Sequence, residues 1–290
     1  MMGLVPTTTW RVAFADGPGG GNPAPIVTDA DHLSAEEMQQ TAAGFGFETA
    51  FVLAPRAGGA CRFRYFVPRR ELEMCVHATV AAVAMLMEAG SLPGEVTVET
   101  PQRIRRVIRD QHDQVMVQLA RPEIAGSAPA VAEVAAALRI PSSAVGGQVP
   151  LVQTVSVARA KTLVPLSGEA ELDSLRPDFP ALEALCERYG STGIYAFALS
   201  ASGRYQIAAR QFPLGVGYTE DPATGVAAGA LAAYLDWQGL RPAAPGGYRI
   251  AQGRAMGRPS LITASPPDAD GEIWVGGRAE LLGTVPAPLG

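Results

Sequence analysis

Two stretches of the chain carry almost no polar positions over a helical length, and each begins just after a polar turn. The first, Met74 to Gly90, reads MCVHATVAAVAMLMEAG. The second, Ala223 to Leu235, closes the segment GYTEDPATGVAAGALAAYL that starts at Gly217. A helix that is apolar on every side is wrapped by its own domain instead of lying on a surface. Asp221 falls at the N-cap position of the second helix and Pro222 at its first helical position, the residue types a helix start favours. Elsewhere the pattern changes to short alternating or β-branched runs. These predict strands at 10–15, 24–27, 49–53, 62–67, 96–99, 103–108 and 115–119 in the first half, and at 153–158, 162–165, 194–199, 204–212, 261–264 and 272–275 in the second. Amphipathic helices are predicted at 31–43, with Ser34 and Glu37 as a capping box, and at 131–138 and 179–189.

The halves repeat one another. Ala78-Thr79 falls where Ala223-Thr224 falls, and Phe66-Val67-Pro68 precedes the first turn as Phe212-Pro213 precedes the second. With a proline- and alanine-rich linker at 120–130 between them, this predicts a duplicated α+β domain with a pseudo-twofold axis and a cleft. Both helix N-termini would offer free amides and the positive end of a dipole, and Gly225 allows close approach to the backbone. Facing each other, they would grip one small carboxylate.

Composition narrows the classes. The 290 residues carry a net charge of −5, so the broad positive field that nucleic acid needs is missing. Arg103, Arg105, Arg106 and Arg109 alternate with apolar residues and read as a solvated strand face. Three cysteines, Cys61, Cys75 and Cys186, stand at unrelated spacings and imply neither a disulfide framework nor a zinc site. Without a signal-peptide pattern or an apolar run of about 18 residues, a cytoplasmic protein with reduced thiols and no membrane partner is expected. The glycine-rich loop at 16–23 runs into Pro25-Ile26-Val27-Thr28, which cannot open a helix, so a nucleotide fingerprint is not expected.

Glu48 stands among Phe45, Phe47 and Phe51 and reads two ways: a desolvated carboxylate raised into the range of a working base, or a strand-start glutamate in solvent. His77 opens the first central helix, where the dipole favours a neutral imidazole; a capping or packing role is the alternative. Cys75 reads as a thiolate at a helix N-terminus or as a small buried apolar residue. Asp221 needs no role beyond its cap. Thr224 and Gly225 matter through their amides. No nucleophile turn of a serine hydrolase is present. These parts suit removal of a proton from carbon near a carboxylate, by one acid/base with helix amides stabilising the anion and no cofactor.

The residues carry a likeness to a known family. GNPAPIV (21–27), LSAEEMQ (33–39), ETAFVL (48–53), FVPRRELEMCVHAT (66–79), ETP (99–101), EDPATG (220–225), the GRPS element of 252–260 and VGGRAEL (275–281) follow in order. Together they resemble the PhzF-like isomerases of phenazine biosynthesis, within the diaminopimelate epimerase and proline racemase superfamily. The resemblance implies an N-terminal barrel domain over 1–121 to which a strand at 277–290 returns, and a second over 127–276. Each would be a β-barrel-like antiparallel sheet around a central apolar helix. It also implies a homodimer, Glu48 as the acid/base, His77 and Asp221 assisting, and carboxylate binding near Gly225, with Val76, Ala78, Thr79, Thr224 and Val226 lining the site and no metal. Val76-His77-Ala78 replaces the family's glycine-histidine-proline, and Val226 stands where serine is common. Cys75 matches one of the two racemase thiols, and no second follows at Asp221-Pro222-Ala223. The reading is a cofactor-independent isomerase of a small carboxylic acid. An amino-acid epimerase using Glu48 and Cys75, or a non-catalytic binding protein, are the alternatives.

Overall fold

The computed structural model describes residues 7–149, 151–242 and 246–286. The chain divides into two compact units, Met1–Gln118 with Gly276–Gly290, and Leu119–Val275. In chain order the first unit contains strands β1 (Thr7–Ala13) and β2 (Asn22–Val27), helix α1 (Ala35–Phe45), β3 (Thr49–Leu53), β4 (Cys61–Val67), β5 (Arg70–Leu72), helix α2 (Val76–Glu88), β6 (Glu95–Glu99), β7 (Ile104–Arg109) and β8 (Val115–Leu119). The second contains β9 (Glu123–Ile124), α3 (Val131–Leu138), β10 (Gln153–Ser156), β11 (Ala160–Pro165), α4 (Glu169–Ser174), α5 (Phe179–Arg188), β12 (Gly193–Leu199), β13 (Ile207–Pro213), α6 (Gly225–Trp237), β14 (Tyr248–Gln252), β15 (Ser260–Ala264) and β16 (Ile273–Gly277). The last strand, β17 (Ala279–Pro286), pairs antiparallel with β1.

Each unit repeats one strand order. In the first, β17-β1-β2 pair antiparallel, β2-β3 parallel, β3-β4 antiparallel, β4-β6 parallel and β6-β7 antiparallel. In the second, β9-β10-β11, β11-β12, β12-β13, β13-β14 and β14-β15 follow the same sequence of directions. The architecture is α+β, a curved, barrel-like sheet around one central helix in each unit. α2 packs on β1, β2, β3 and β17, and α6 packs on β10, β11 and β15. Val76 to Ala84 of α2 and Gly225 to Leu235 of α6 are buried without interruption, as an apolar surface on all sides requires. The alanine content has a packing reason too. A Cβ on Gly229 would stand only 3.0 Å from Val275 and 3.1 Å from Leu119, so the middle of α6 leaves no room for side chains.

Several local expectations change. The capping box of α1 is present, with Ser34 Oγ accepting from the Glu37 amide at 3.2 Å and the Glu37 carboxylate accepting from the Ser34 amide at 2.8 Å. Asp221, however, is not an N-cap. Its amide donates to the Gln211 carbonyl at 3.0 Å and holds residue 221 in a β-bridge, so α6 begins at Gly225 with Thr224 as its N-cap. This breaks the sequence match of the two Ala-Thr pairs. Thr79 donates its amide to the Cys75 carbonyl as Ala228 does to Thr224, so Cys75 and Thr224 are the equivalent caps and Thr79 lies one turn further on. The arginine run is not wholly solvated, because Arg105 is buried with a hydrogen bond to Gln102, while Ile104 points outward. Within the expected linker, β9 pairs with β10. α4 and β14 escaped prediction: six residues give a helix too little period to read, and β14 follows a Gly-Gly turn that masks its start.

Candidate active site

In the first unit the site begins one residue before β3. Glu48 is 9% exposed, so the solvent-facing alternative does not hold. The aromatic segment leading to it is fixed by Trp10, whose ring meets Phe45 and Phe47 edge-on at 5.3 Å each. His77, the second residue of α2, is buried and brings Nε2 to 3.6 Å from Glu48 Oε2. That is beyond a hydrogen bond and within ion-pair range when the imidazole is protonated. Cys75, the N-cap, makes no side-chain cap bond; its Sγ lies 3.4 Å from His77 Nδ1. A carboxylate, an imidazole and a thiol therefore converge at one helix start, with their ligating atoms within 4.8 Å of one another.

The helix start is held from below. The buried Tyr65 hydroxyl meets Thr79 Oγ1 at 2.7 Å, and Thr79 donates to the Cys75 carbonyl at 2.7 Å. Burial pushes the Tyr65 phenol far up, so it remains a neutral partner. Thr79 is thus fully buried, with its hydroxyl engaged inside the protein. Val76 and Ala78 contribute the first and third helical amides, which have no acceptor within the helix.

The second unit reaches a comparable helix start by other means. Gln252, at the end of β14, donates to the Asp221 carbonyl at 2.7 Å and to Thr224 Oγ1 at 3.1 Å. Its own carbonyl oxygen accepts from the Thr224 amide at 3.2 Å and from the Tyr195 hydroxyl at 3.0 Å. The Thr224 hydroxyl donates to the Asp221 carboxylate. Gly253 makes this approach possible: at φ 78°, a Cβ there would lie 2.2 Å from the Arg258 carbonyl oxygen and 2.8 Å from that of Pro222. Glu220 forms a two-pronged pair with Arg210, which also caps the carbonyls of Leu172 and Leu175. With the Thr224 amide engaged by Gln252, the amides of Gly225, Val226 and Ala227 are those left without an acceptor within the helix at the start of α6.

Glu48, Cys75 and His77 thus come together in one unit, and Asp221, Thr224, Gly225 and Val226 in the other. Sequence reasoning missed Tyr65, Tyr195 and Gln252. A polar residue closing an apolar strand directly before a glycine, as in Gln252-Gly253, is the signal that was available. The other two thiols are inert. Burial, then the charge of Glu99, pushes Cys61 up to about 12, and burial pushes Cys186 up to about 11. After the glycine-rich loop comes β2, which is extended and offers no phosphate-binding helix. Among the described residues no helix is long and apolar enough to cross a membrane.

The structure is a mixed two-unit fold with a buried carboxylate, imidazole and thiol gathered at one helix start. The family model for phenazine biosynthesis-like proteins (PhzC-PhzF) matches residues 12–282. The uncharacterized isomerase YddE of Escherichia coli O157:H7 is 31% identical over 283 residues, covering 93% of this chain and 94% of that protein. The trans-2,3-dihydro-3-hydroxyanthranilate isomerase of Pseudomonas chlororaphis is 32% identical over 268 residues, 87% of each chain. In fold, the chain matches the Bacillus anthracis phenazine biosynthesis protein of the PhzF family with a TM-score of 0.84 at 24% identity, covering 97% of this chain and 98% of that one. The chain belongs to the PhzC-PhzF family of phenazine biosynthesis-like proteins, and it is an isomerase.

Proposed function

We propose that this protein isomerises a small unsaturated carboxylic acid by moving one proton between two carbons through Glu48, without a cofactor. The observation that carries the reading is the burial of Glu48 beside His77 at the start of α2. Glu48 as carboxylate takes the proton from a carbon activated by conjugation, and the electron pair of that C–H bond moves into the double-bond system. The amides of Val76, His77 and Ala78 stabilise the negative charge that develops, because they are oriented before the reaction and their dipole favours an anion. Glu48, now the acid, returns the proton at the other carbon, and the double bond has shifted. His77 steers the carboxyl group between its two positions. In the second unit, the amides of Gly225 and Val226 are assigned to recognition of an anionic group, with Asp221 orienting it. The isomerase activity named for the Pseudomonas chlororaphis relative supports an unsaturated ring acid as the substrate class.

Cys75 Sγ at 3.4 Å from His77 gives a second reading some footing: an epimerase in which Glu48 and Cys75 act on opposite faces of one carbon. Solvent-deuterium incorporation into a panel of small unsaturated and amino carboxylic acids separates the two. Label at a shifted carbon, lost in Glu48→Gln and kept in Cys75→Ala, is the expected result. Label at an unshifted stereocentre, lost in either variant, replaces the isomerase with the epimerase. Tight binding with no label in any compound leaves a binding protein.

A further inference from the structure

The polar side chains gathered at the start of α6 are bonded to one another with one exception. Gln211, on β13, is fully buried, and neither Oε1 nor Nε2 of its carboxamide has a hydrogen-bond partner. Among the described residues it is the one carboxamide left in this state. A buried polar group without a partner carries its whole desolvation cost, so native proteins keep few of them. The sheet sets its direction. Gln211 stands opposite Tyr195 in the antiparallel register, and opposed residues project from the same face. On that face the Tyr195 hydroxyl donates to Gln252 Oε1, which also accepts from the amide of Thr224, the cap of α6. Residues two apart along a strand share a face as well, and Gly193 leaves room there: a Cβ on it would stand 2.4 Å from Gln211 Nε2. With β3-β4 laid on β12-β13, Ala50 and Tyr65 fall on Tyr195 and Gln211, so Gly193 takes the place of Glu48. Counted from the caps, Val226 takes the place of His77. In the first unit the carboxylate at that place lies 3.6 Å from the imidazole. In the second, the polar group over the same place is the carboxamide of Gln211, brought in from the neighbouring strand.

We propose that Gln211 is a specificity-determining residue at the start of α6, unpaired in the free protein and paired by the bound acid. Its N–H donates to the carboxylate held by the amides of Gly225 and Val226, and its carbonyl accepts from an O–H or N–H carried beside that carboxylate. An acid without such a donor leaves the carbonyl buried and unpaired, which is how a polar site rejects an analogue that lacks one group. A neutral amide also suits its neighbour. Residue 211 is bridged to Asp221, whose carboxylate accepts from the Thr224 hydroxyl, and a second carboxylate there would repel an anionic ligand. The start of α6 is closed to the same degree as Gln211, with Asp221 5% and Val226 2% exposed. A ligand that reaches the helix amides therefore opens the same packing. The pairing rests on the proposed reading that this helix start binds an anionic group; the effect of Gln211 on stability does not.

The test joins calorimetric titration of the full-length protein to urea unfolding, in the wild type and in Gln211→Met and Gln211→Leu. Two pairs of probes differ only in the donor: anthranilate against benzoate for N–H, and mandelate against phenylacetate for O–H. In at least one pair the wild type should bind the donor-bearing acid at least about tenfold more tightly. In both variants that ratio should fall to near one, while the urea midpoint rises, because an apolar side chain removes two buried unpaired groups. A residue that only fills space or supports the sheet would show the opposite: a lower midpoint and an unchanged ratio. Circular dichroism checks that the variants are folded, and the second keeps the test open if the first is not. A wild type without preference in either pair, a preference that survives both variants, or a midpoint lowered in both overturns the assignment. Deuterium incorporation separates this from the reaction. Exchange that depends on Glu48 while the probe preference ignores Gln211 leaves the proposed function and removes this role; a preference that follows Gln211 in a protein that exchanges no acid does the reverse.

Discussion

The start of α2 and the start of α6 are two versions of one construction, and what they share is scaffold. Arg64 grips Glu71 with two bonds of 2.7 Å and lies over Phe66 at 5.0 Å. Arg210 grips Glu220 at 2.9 and 2.8 Å and lies over Phe212 at 5.1 Å. What differs is chemistry. The registers pair Ala50 with Tyr65 in one unit and Tyr195 with Gln211 in the other, so the buried tyrosine is delivered from opposite strands. Continued one residue, the same register places Glu48 where the second unit has Gly193. The cap is Cys75 in one and Thr224 in the other. A duplicated fold carries a buried carboxylate, imidazole and thiol in one copy and hydroxyl, carboxylate and backbone amides in the other.

The largest effect should come from the position that differs most. Glu48→Gln removes the proposed base, whose place in the second unit is taken by glycine, and should slow deuterium incorporation by about 10²–10⁴-fold, the range general acid/base catalysis supplies. A fall of less than tenfold moves the base elsewhere. In the second unit the corresponding hub is Gln252. Gln252→Ala strips partners from Tyr195, Thr224 and the Asp221 carbonyl at once, and buried groups left unpaired cost about 1–3 kcal/mol each. Urea unfolding should show a loss of about 3 kcal/mol; a loss near zero means that the turn does not depend on this hub.

Gly193 shows why a carboxylate cannot stand at the equivalent place in the other copy. A Cβ there meets Gln211 Nε2 at 2.4 Å, the Phe212 carbonyl oxygen at 2.6 Å and Pro213 Cα at 2.9 Å, on a backbone with φ 146°. Gly193→Ala should cost about 1–3 kcal/mol through overpacking. The same methyl at Glu48 adds nothing, so Glu48→Ala should unfold at nearly the wild-type urea concentration. Equal losses at both positions would erase the distinction. A smaller difference tests the tyrosines: Tyr65→Phe removes one hydrogen bond, to Thr79, and should cost about 1 kcal/mol.

How much of this the sequence could reveal follows from where the information lies. The two central helices were legible because an apolar surface on all sides is a local pattern, and so was the α1 box, whose partners are three residues apart. The start of α6 was not, because Asp221 is held by Gln211 and Gln252, and no local preference for aspartate before proline records those long-range bonds. The pairing of Glu48 with His77 could be suspected only through the family likeness, since 29 residues separate them. The Ala-Thr repeat misled for a related reason: a three-residue turn inserted by the bridge at Asp221 shifts one helix against the other without changing the composition of either.

The smallest difference between the copies concerns a loop, and it is read by pH. The registers place Glu99 of β6 where β14 has Ala251. Glu99 folds its carboxylate under the loop between β3 and β4, accepting the amides of Arg56 at 2.9 Å, Ala57 at 2.5 Å and Gly59 at 3.1 Å. Burial works to raise its pKa, but the donors Ala57, Arg56 and Gly59 outweigh it and hold the carboxyl below the ordinary 4.5. The folded value is the lower one. Its contribution is therefore fully present above about 4.5 and is lost as the pH falls through the depressed folded value. In the second unit the matching contact between loop and strand β14 is a neutral one, Gln206 accepting from the Arg249 amide at 2.7 Å, while Glu169 binds Ser200 and Tyr205 elsewhere in that loop. Amide hydrogen exchange across pH 5 to 3 should show Ala57 and Gly59 losing protection while Arg249 keeps its own. In Glu99→Gln the first two should be weakly protected throughout and nearly insensitive to acid. Parallel loss in both loops would mean that acid loosens the fold generally and that Glu99 holds nothing in particular.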